Sequence, residues 1–317
     1  MGKRKISFVI PCYNSEKTIG KVVSEIISTI SKRNEDDYEI ILVNDCSRDN
    51  TWDEIRNICK DNEKIKGVSF SKNFGQHSAL MCGYDKASGD MIVSLDDDGQ
   101  TPTDEVYLLI DKLNEGYDVV YASYLQKKHS SIRNIGTSIN NYMCERLLGK
   151  PKKLVLTSFF AAKKFVIDEV KKYNNSYAYV PGLVLRTTKN IASVPVHHRK
   201  REVGQSGYSF AKLLGLWMNG FTAFSVVPLR VSTFIGMGTA FAGCIYCVYI
   251  IINKILNPNV PVGWSSTIGI MLLIGGMILF VLGMIGEYLG RVYISLNNAP
   301  QYVIKEEAGI NDDRDDK

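Results

Sequence analysis

The sequence predicts an α/β protein: a mostly parallel sheet with helices on both faces, followed by an interfacial helix and two transmembrane helices. Two observations lead to this fold class. Strand and helix patterns alternate over the first 125 of the 317 residues, as expected for a layered α/β domain. Charge is then almost absent from residues 231–286, which contain only Lys254 among the 71 charged residues of the chain. Such a long apolar stretch disfavours a soluble monomer and indicates a membrane part.

The N-terminal elements follow from the periodicity of their apolar residues. Alternating or β-branched runs predict strands at 6–10, 39–43, 66–70, 91–95 and 118–122. Apolar residues at three- and four-residue spacing predict helices at 15–31, 51–61, 76–87 and 104–114. In a parallel sheet of this kind, ligands bind at the carboxyl ends of the strands. The polar clusters of this sequence follow its strands, so they are expected at that edge.

The rest of the chain divides by composition. Residues 130–205 predict helices at 131–148 and 165–173 and strands at 154–162 and 191–197, which completes a cytoplasmic domain at 1–207. Residues 208–228 are aromatic and apolar and predict an interfacial helix, with a buried domain helix as the alternative. A transmembrane hairpin at 229–290 has spans at 231–252 and 265–286, and 291–317 form a C-terminal segment and tail.

The location of the domain is predicted from cysteines and charge. The seven cysteines are odd in number, which favours free thiols and a reducing compartment. The first strand closes too early for a signal peptide. Two spans return the chain to its starting side, so we expect a multi-pass protein of the cytoplasmic membrane with both termini in the cytoplasm.

An acidic triplet follows the fourth strand. In an extended segment Asp96 and Asp98 share a face, while Asp97 points the other way. Two neighbouring carboxylates repel each other unless a cation lies between them, and oxygen ligands of this kind suit Mg²⁺ or Mn²⁺. The alternative is a cap for the helix that follows. We expect Asp96 and Asp98 to be the metal ligands.

Three other strand ends contribute polar groups. Residues 11–14 follow the first strand, and Asp45 after the second strand could accept hydrogen bonds from a ribose or a base. Lys72 offers a cation after the third strand. His77, nearby, is interpreted as a structural histidine.

A basic run at 198–208 precedes the interfacial helix. Clustered arginine and lysine at a membrane surface recognise phosphate, and simple attraction to anionic lipid is the alternative. The Gly, Ser and Tyr residues in the run favour a shaped site. The predicted lipid-phosphate ligands are Arg199, Lys200, Arg201, Ser206 and Tyr208.

Four segments, at 6–14, 41–51, 71–79 and 94–102, resemble the motif series of the family 2 glycosyltransferases with the GT-A fold. The resemblance implies that the Asp-x-Asp motif, Asp96 and Asp98, holds a divalent metal on a nucleotide-sugar diphosphate. It also implies that Asp45 and residues 11–13 border the nucleoside and that Lys72 replaces a common basic residue. The expected donor-binding set is therefore Pro11, Tyr13, Asp45, Lys72 and Asp97.

The second half is similar to the bacterial polyprenyl-phosphate glycosyltransferases of the same family, which include the O-antigen glucosylation, lipid A aminoarabinose and dolichyl-phosphate mannose types. Residues 201–208 match their Arg-x-x-Gly-x-Ser-x-Tyr signature, and 228–230 and 286–303 match their C-terminal half. The resemblance implies inverting transfer from a nucleotide sugar, with UDP expected, to undecaprenyl phosphate with Mg²⁺ or Mn²⁺. Asp96, Asp98 and Arg201 are the expected catalytic residues. Membrane lipids and a homo-oligomer are expected partners, and nucleic acid is not.

One departure from the family bears on the acceptor. The family often has an aspartate, proposed as a base, in the segment that here reads Leu156 to Phe160 and contains Ser158 but no carboxylate. A phosphate monoester is already mostly a dianion at neutral pH, so it has no proton that must be removed. The missing base therefore favours a lipid-phosphate acceptor. A polysaccharide-extending transferase and a non-enzymatic nucleotide-sugar-binding scaffold are the alternatives.

Overall fold

The computed structural model describes residues 3–124, 145, 150–151, 154–176, 178–197, 199, 227–257, 263–296 and 300–309. The chain forms two compact units. The first comprises Met1–Ser209 together with Asn298–Lys317, and the second is Phe210–Asn297. The first unit therefore takes residues from both sides of the second along the chain.

The first unit contains a sheet and six α-helices within its described residues. The strands are β1 Lys5–Cys12, β2 Asp37–Asn44, β3 Ile65–Phe70, β4 Met91–Ser94, β5 Val119–Tyr124, β6 Phe160–Lys163, β7 Ile191–Val196 and β8 Ile304–Ala308. The helices are α1 Ile19–Arg33, α2 Thr51–Asp61, α3 Gln76–Lys86, α4 Val106–Asn114, α5 Lys164–Lys171 and α6 Val180–Thr187, with a short 3-10 turn at Thr103–Glu105 before α4.

The sheet is mixed, with the strand order β7-β5-β6-β4-β1-β2-β3-β8. Strands β4, β1, β2 and β3 run parallel, and so do β5 and β7. β6 is antiparallel to both β4 and β5, and β8 is antiparallel to β3. The α/β class is confirmed. The prediction of a mostly parallel sheet is corrected to a mixed one, because β6 and β8 run antiparallel to the strands with which they pair.

The core lies between the central strands and their helices. β1 and β2 are buried along almost their whole length, as expected for parallel strands covered on both faces. The amphipathic α1 buries Ile19, Val22, Val23, Ile26 and Ile30 in this core. α3 packs so closely on β1 that a Cβ on Gly83 would lie 2.2 Å from Val9 Cγ1. This close approach brings the start of α3 next to the carboxyl ends of the strands.

The last described segment of the chain belongs to the same sheet. β8 pairs with β3 from Gly67 opposite Ala308 to Ser69 opposite Glu306. No strand was predicted in this segment, which the sequence placed in a C-terminal segment and tail. β8 covers the edge of β3 and so leaves fewer unpaired backbone groups at this side of the sheet.

The second unit contains two long helices, α7 Val227–Leu256 and α8 Trp264–Leu296. The predicted spans 231–252 and 265–286 lie inside them. Within the described residues, one segment is long and apolar enough to cross a membrane, Leu273–Gly290 in α8. The described residues thus contain one candidate span, which overlaps the predicted span 265–286, and the prediction of two transmembrane helices is not confirmed. The predicted interfacial helix at 208–228 lies outside the described residues except for its last two positions.

Candidate functional site

The polar segments singled out in the sequence lie at one edge of the sheet. β4, β1, β2 and β3 are consecutive neighbours and parallel, so the loops that follow them emerge side by side. The loops after β1 and β2 are joined directly, because the Asp45 N–H donates to the carbonyl of Cys12 at 2.9 Å. The predicted gathering of residues 11–14, 45, 72 and 96–98 at a common edge agrees with this arrangement.

The three carboxylates of the triplet have different partners. Asp96 accepts hydrogen bonds from Gln76 Nε2 at 2.9 Å and, at its other oxygen, from the Ser158 hydroxyl. Asp97 accepts the N–H of Tyr13 at 2.9 Å and so ties the triplet to the loop after β1. Asp98 accepts a hydrogen bond from the backbone N–H of Gln100, two residues later. Asp97 therefore points away to another loop, as the extended spacing predicted.

Burial and the charges of the triplet raise the pKa of two neighbouring groups. Burial, with the added charges of Asp96 and Asp98, raises the pKa of Asp97 to about 6, although the Tyr13 N–H opposes the change. Burial and the same two charges raise the pKa of Tyr124 to about 12. The charges of Asp96 and Asp98 thus add to the effect of burial, and a cation near them would offset the repulsion.

The donor set of the triplet fits a hard divalent cation in part. Asp96 and Asp98 supply carboxylate oxygens, the type of ligand that Mg²⁺ and Mn²⁺ prefer, and such ions complete their shell with water and substrate phosphates. Among the described residues no group of three or more His, Cys, Asp or Glu side chains could hold a metal. A cation held by these two carboxylates would take most of its coordination shell from water and ligand oxygens.

Asp45 is a buried carboxylate that organises the loop after β3. Its two oxygens accept the backbone N–H groups of Phe74 at 2.6 Å and Gly75 at 2.8 Å. Burial raises the pKa of Asp45, and these two hydrogen bonds oppose the rise. Each carboxylate oxygen retains a second lone pair, so the side chain can still accept from a ligand.

Pro11 and Tyr13 lie at the end of β1. Pro11 pairs with Val43 of β2, while the pairing of β1 with β4 ends at Val9. The missing N–H of Pro11 therefore breaks no ladder hydrogen bond on the β4 side. Tyr13 is 46% exposed, although its backbone N–H is bound to Asp97, so its ring is available to a ligand.

Lys72 and His77 flank the Asp45-bound loop. The Lys72 ammonium lies 4.9 Å from the ring centroid of Phe74 in an exposed position. His77 packs edge-on against Tyr179 at 5.3 Å between ring centroids, and burial lowers its pKa to about 4. Its neutral imidazole agrees with the structural interpretation.

The basic run is described only at Arg199. Its guanidinium pairs with Glu25 and Asp104, both at 2.7 Å. A phosphate would have to share this arginine with two carboxylates. Lys200, Arg201, Ser206 and Tyr208 lie outside the described residues.

Sequence reasoning missed the partners of Asp96. Gln76 begins α3, and Ser158 precedes β6, which pairs with β4 directly beside the triplet. No periodicity marks either residue. The signal was the departure in the segment 156–160, which has no carboxylate and whose Ser158 hydroxyl binds Asp96.

The comparisons with known proteins agree with this geometry. Residues 7–171, just over half of the chain, match the model of glycosyl transferase family 2. Residues 227–292 match the model of the GtrB C-terminal hairpin. The two matches lie in the two halves from which the sequence resemblance was drawn.

Two relatives match nearly the whole chain. The uncharacterized glycosyltransferase YkcC of Bacillus subtilis (strain 168) is 32% identical over 97% of this chain and 95% of its own. The undecaprenyl-phosphate 4-deoxy-4-formamido-L-arabinose transferase of Proteus mirabilis (strain HI4320) is 31% identical over 96% of this chain and 94% of its own.

Among solved structures, glucosyl-3-phosphoglycerate synthase of Mycobacterium tuberculosis, in complex with Mn²⁺, UDP and glucosyl-3-phosphoglycerate, has the same fold. The TM-score is 0.52 at 20% identity, over 68% of this chain and 76% of that one. Family models, relatives and fold agree with one another and with the predicted subgroup of polyprenyl-phosphate glycosyltransferases. The chain is therefore a glycosyltransferase enzyme and belongs to glycosyltransferase family 2, with a GT-A fold and a GtrB-type C-terminal hairpin.

Proposed function

We propose that this enzyme transfers a sugar, with inversion, from a nucleotide-sugar donor, expected to be a UDP-sugar, to undecaprenyl phosphate at the cytoplasmic face of the membrane. The observation that carries the proposal is the acidic triplet after β4, placed beside the loops of β1, β2 and β3 in a chain that continues into two long helices. Such an edge suits a nucleotide diphosphate, and the helices suit a lipid-linked acceptor.

The donor would bind across the carboxyl ends of β1 to β4. The Tyr13 ring and the remaining lone pairs of Asp45 would face the nucleoside, bordered by Pro11, while Lys72 would offer positive charge to the diphosphate. Asp97 would keep the Tyr13 loop in register with the triplet through its hydrogen bond to the Tyr13 N–H. The complexes of the mycobacterial structural neighbour contain UDP, which supports a uridine donor.

Asp96 and Asp98 would hold Mg²⁺ or Mn²⁺. When bound, the ion would neutralise charge on the diphosphate as it leaves. The chain itself orients this pair: Gln76 and Ser158 bind the two oxygens of Asp96, and the turn to Gln100 holds Asp98. The Mn²⁺ complexes of the neighbour support a divalent ion in this fold.

The acceptor is proposed to be a polyprenyl phosphate. The name of the Proteus mirabilis relative specifies undecaprenyl phosphate, and that relative aligns with nearly the whole chain. Arg201, Ser206 and Tyr208, with Lys200, are proposed to position the phosphate, and Arg199 would contribute only by exchanging its carboxylate partners. Ser158 lies in the segment 156–160, where the family often has a base, and its hydroxyl is bound to Asp96. A phosphate dianion needs no base, which fits this site.

The path of the chain supports an even number of membrane crossings. β8 follows α8 in the sequence and is a strand of the same sheet as β3. If α8 crosses the membrane once, another segment between residue 199 and α8 must cross it in the opposite direction. α7 has 30 residues, about 45 Å of helix at 1.5 Å per residue, which exceeds the ~30 Å hydrocarbon core. We therefore propose α7 as the second span.

A donor panel tests the proposal. The full-length enzyme in detergent is given undecaprenyl phosphate, Mg²⁺ or Mn²⁺ and each of several UDP- and GDP-sugars, and the lipid product is identified by mass spectrometry. One donor should yield a product heavier by one sugar residue. Asp98→Asn should lower this transfer by about 10²–10³-fold, the size of effect seen when charge stabilisation is removed from an active site. Asp53→Asn, at an exposed position on α2, is the matched control.

The rival function predicts a different product. A polysaccharide-extending transferase would place labelled sugar in the aqueous polymer fraction and leave the lipid unmodified. That outcome, or full transfer by Asp98→Asn at saturating Mg²⁺, would refute the proposal.

A further inference from the structure

The segment 300–309 is anchored along β3 by backbone and side-chain contacts. Beyond the β8 ladder, the Ser71 N–H donates to the carbonyl of Val303 at 3.0 Å. Trp52 Nε1 of α2 donates to Glu306 at 2.8 Å. A salt bridge of 2.7 Å joins Lys86 of α3 to Glu307. The segment is therefore held by a strand and by the two helices on either side of it.

Tyr302 links this segment to the loop after β3 through a row of aromatic rings. Its ring stacks on Phe70, with 5.3 Å between centroids and 8° between planes, and its hydroxyl donates to Asp85. Phe70 is fully buried and meets Phe74 edge-on at 5.7 Å. The Lys72 ammonium lies over the other end of this row, 4.9 Å from the Phe74 ring centroid. Contact is thus continuous from Tyr302 to Lys72.

The same loop is held from its other side by Asp45. Phe74 and Gly75 donate their backbone N–H groups to the two oxygens of Asp45, and the Asn73 side chain donates to the Asp45 carbonyl at 3.2 Å. Gly75 has a φ of +90°, a conformation that few other residues adopt readily. Phe74 therefore contacts Phe70 through its ring and Asp45 through its backbone N–H.

We propose that Tyr302 is a positioning residue of the donor site: by packing on Phe70 it holds Phe74 and Gly75 against Asp45 and thereby orders the loop that receives the nucleoside diphosphate. The inference rests on the proposed function in one respect only, the binding of the donor at this edge. It assigns a role to the chain after α8, which lies far from the donor motifs in sequence. Without the Tyr302 ring, the loop opens and the nucleotide must order it on binding, which weakens affinity.

The first test uses the full-length enzyme without donor. Amide hydrogen exchange of peptides covering 71–75 is compared in wild type, Tyr302→Ala and Tyr302→Phe, with Glu307→Gln as a matched control on the same segment. Exchange in Tyr302→Ala should be about five- to tenfold faster, the range that an aromatic pair supports. Tyr302→Phe keeps the ring and Glu307→Gln touches no ring, so both should stay close to wild type. Unchanged exchange in β1 shows that the sheet remains folded.

The second test measures binding and turnover. UDP and GDP are titrated calorimetrically, and the Kd of the nucleotide that binds should rise about five- to tenfold in Tyr302→Ala, matching the exchange. The KM for the donor should rise similarly, while kcat at saturating donor and the KM for undecaprenyl phosphate stay at the wild-type values.

Three results would count against these ideas, and they differ. Wild-type exchange in Tyr302→Ala would overturn the coupling between Tyr302 and the loop. Faster exchange with an unchanged nucleotide Kd would overturn the positioning role. Absence of UDP and GDP binding by the wild-type enzyme would instead count against the proposed nucleotide-sugar donor, while the exchange data would still decide whether Tyr302 is coupled to the loop.

Discussion

Glu39 offers a prediction whose magnitude follows from the structure. Its side chain is only 2% exposed, at the end of the sheet opposite the candidate site. One oxygen accepts from the Ser7 hydroxyl and the Ser88 N–H, both at 2.6 Å. The other lies 3.0 Å from the ammonium groups of Lys5 and Lys66. Burial alone would raise the pKa of Glu39, but these contacts lower it from an ordinary value of 4.5 to about 2.

A pKa that is lower in the folded than in the unfolded state raises the free energy of unfolding at neutral pH. Because each pKa unit corresponds to about 1.4 kcal/mol, the ionised Glu39 stabilises the folded state by roughly 3 kcal/mol at neutral pH. A group with a lowered pKa contributes fully above its unfolded pKa and loses the contribution as pH falls. The stabilisation should therefore be complete above pH 4.5 and disappear towards pH 2.

The perturbation is Glu39→Gln, which removes the charge and keeps the shape. Urea unfolding of the enzyme in detergent micelles is followed by pulse proteolysis, and peptides from residues 3–124 are quantified at several pH values. The variant should be less stable by roughly 3 kcal/mol at pH 7, and the difference should shrink between pH 4.5 and pH 2.

The control is Glu35→Gln. Glu35 is an exposed carboxylate paired with Arg33, so we expect a change below about 1 kcal/mol at any pH. Equal stability of Glu39→Gln and wild type at pH 7, or a difference that persists at pH 2, would refute the reasoning.

Three further predictions concern the site, the core and β8. Ser158→Ala removes one hydrogen bond to Asp96 and should lower the rate of sugar transfer about five- to tenfold, whereas Ser158→Thr should keep a rate near that of the wild type. Equal transfer rates for Ser158→Ala and the wild type would contradict this prediction. Gly83→Ala places a methyl group 2.2 Å from Val9 Cγ1 and should destabilise the first unit by about 1–3 kcal/mol in thermal unfolding; a midpoint equal to that of the wild type would show that the core accommodates the methyl group. Trp52→Phe removes the hydrogen bond to Glu306 and should speed amide exchange in β8 about fivefold. An unchanged exchange rate would show that the backbone hydrogen bonds to β3 hold β8 without the Trp52 contact.

The sequence predicted the elements whose patterns are local. The parallel strands β1 to β4 and the helices between them agree with their predicted bounds to within a few residues, because burial on both faces leaves continuous apolar runs. The strand predicted at 6–10 extends to Cys12. Pro11 does not interrupt it, because β4 no longer pairs with β1 at the position where the proline N–H is missing. The gathering of Asp45 and the triplet followed from the strand-end rule alone.

Long-range partners could not be read from local patterns. β8 is a short, charged strand whose pairing depends on β3, and the antiparallel β6 is shorter than the predicted strand at 154–162. The hydrogen bonds of Ser158 and Gln76 to Asp96 join residues distant in the chain, so no spacing predicts them. The ion pairs of Arg199 with Glu25 and Asp104 could not be predicted for the same reason.

The pairing of β8 with β3 also sets the order in which the sheet can form during synthesis of the chain. A nascent chain can form β1 to β4 early, but Ala308 reaches its place opposite Gly67 only after both long helices have been synthesised. Until then the edge of β3 has no partner strand, and Trp52 lacks its acceptor on Glu306. An open strand edge is where wrong pairing begins. The sheet of the first unit thus becomes complete only after translation has passed both long helices.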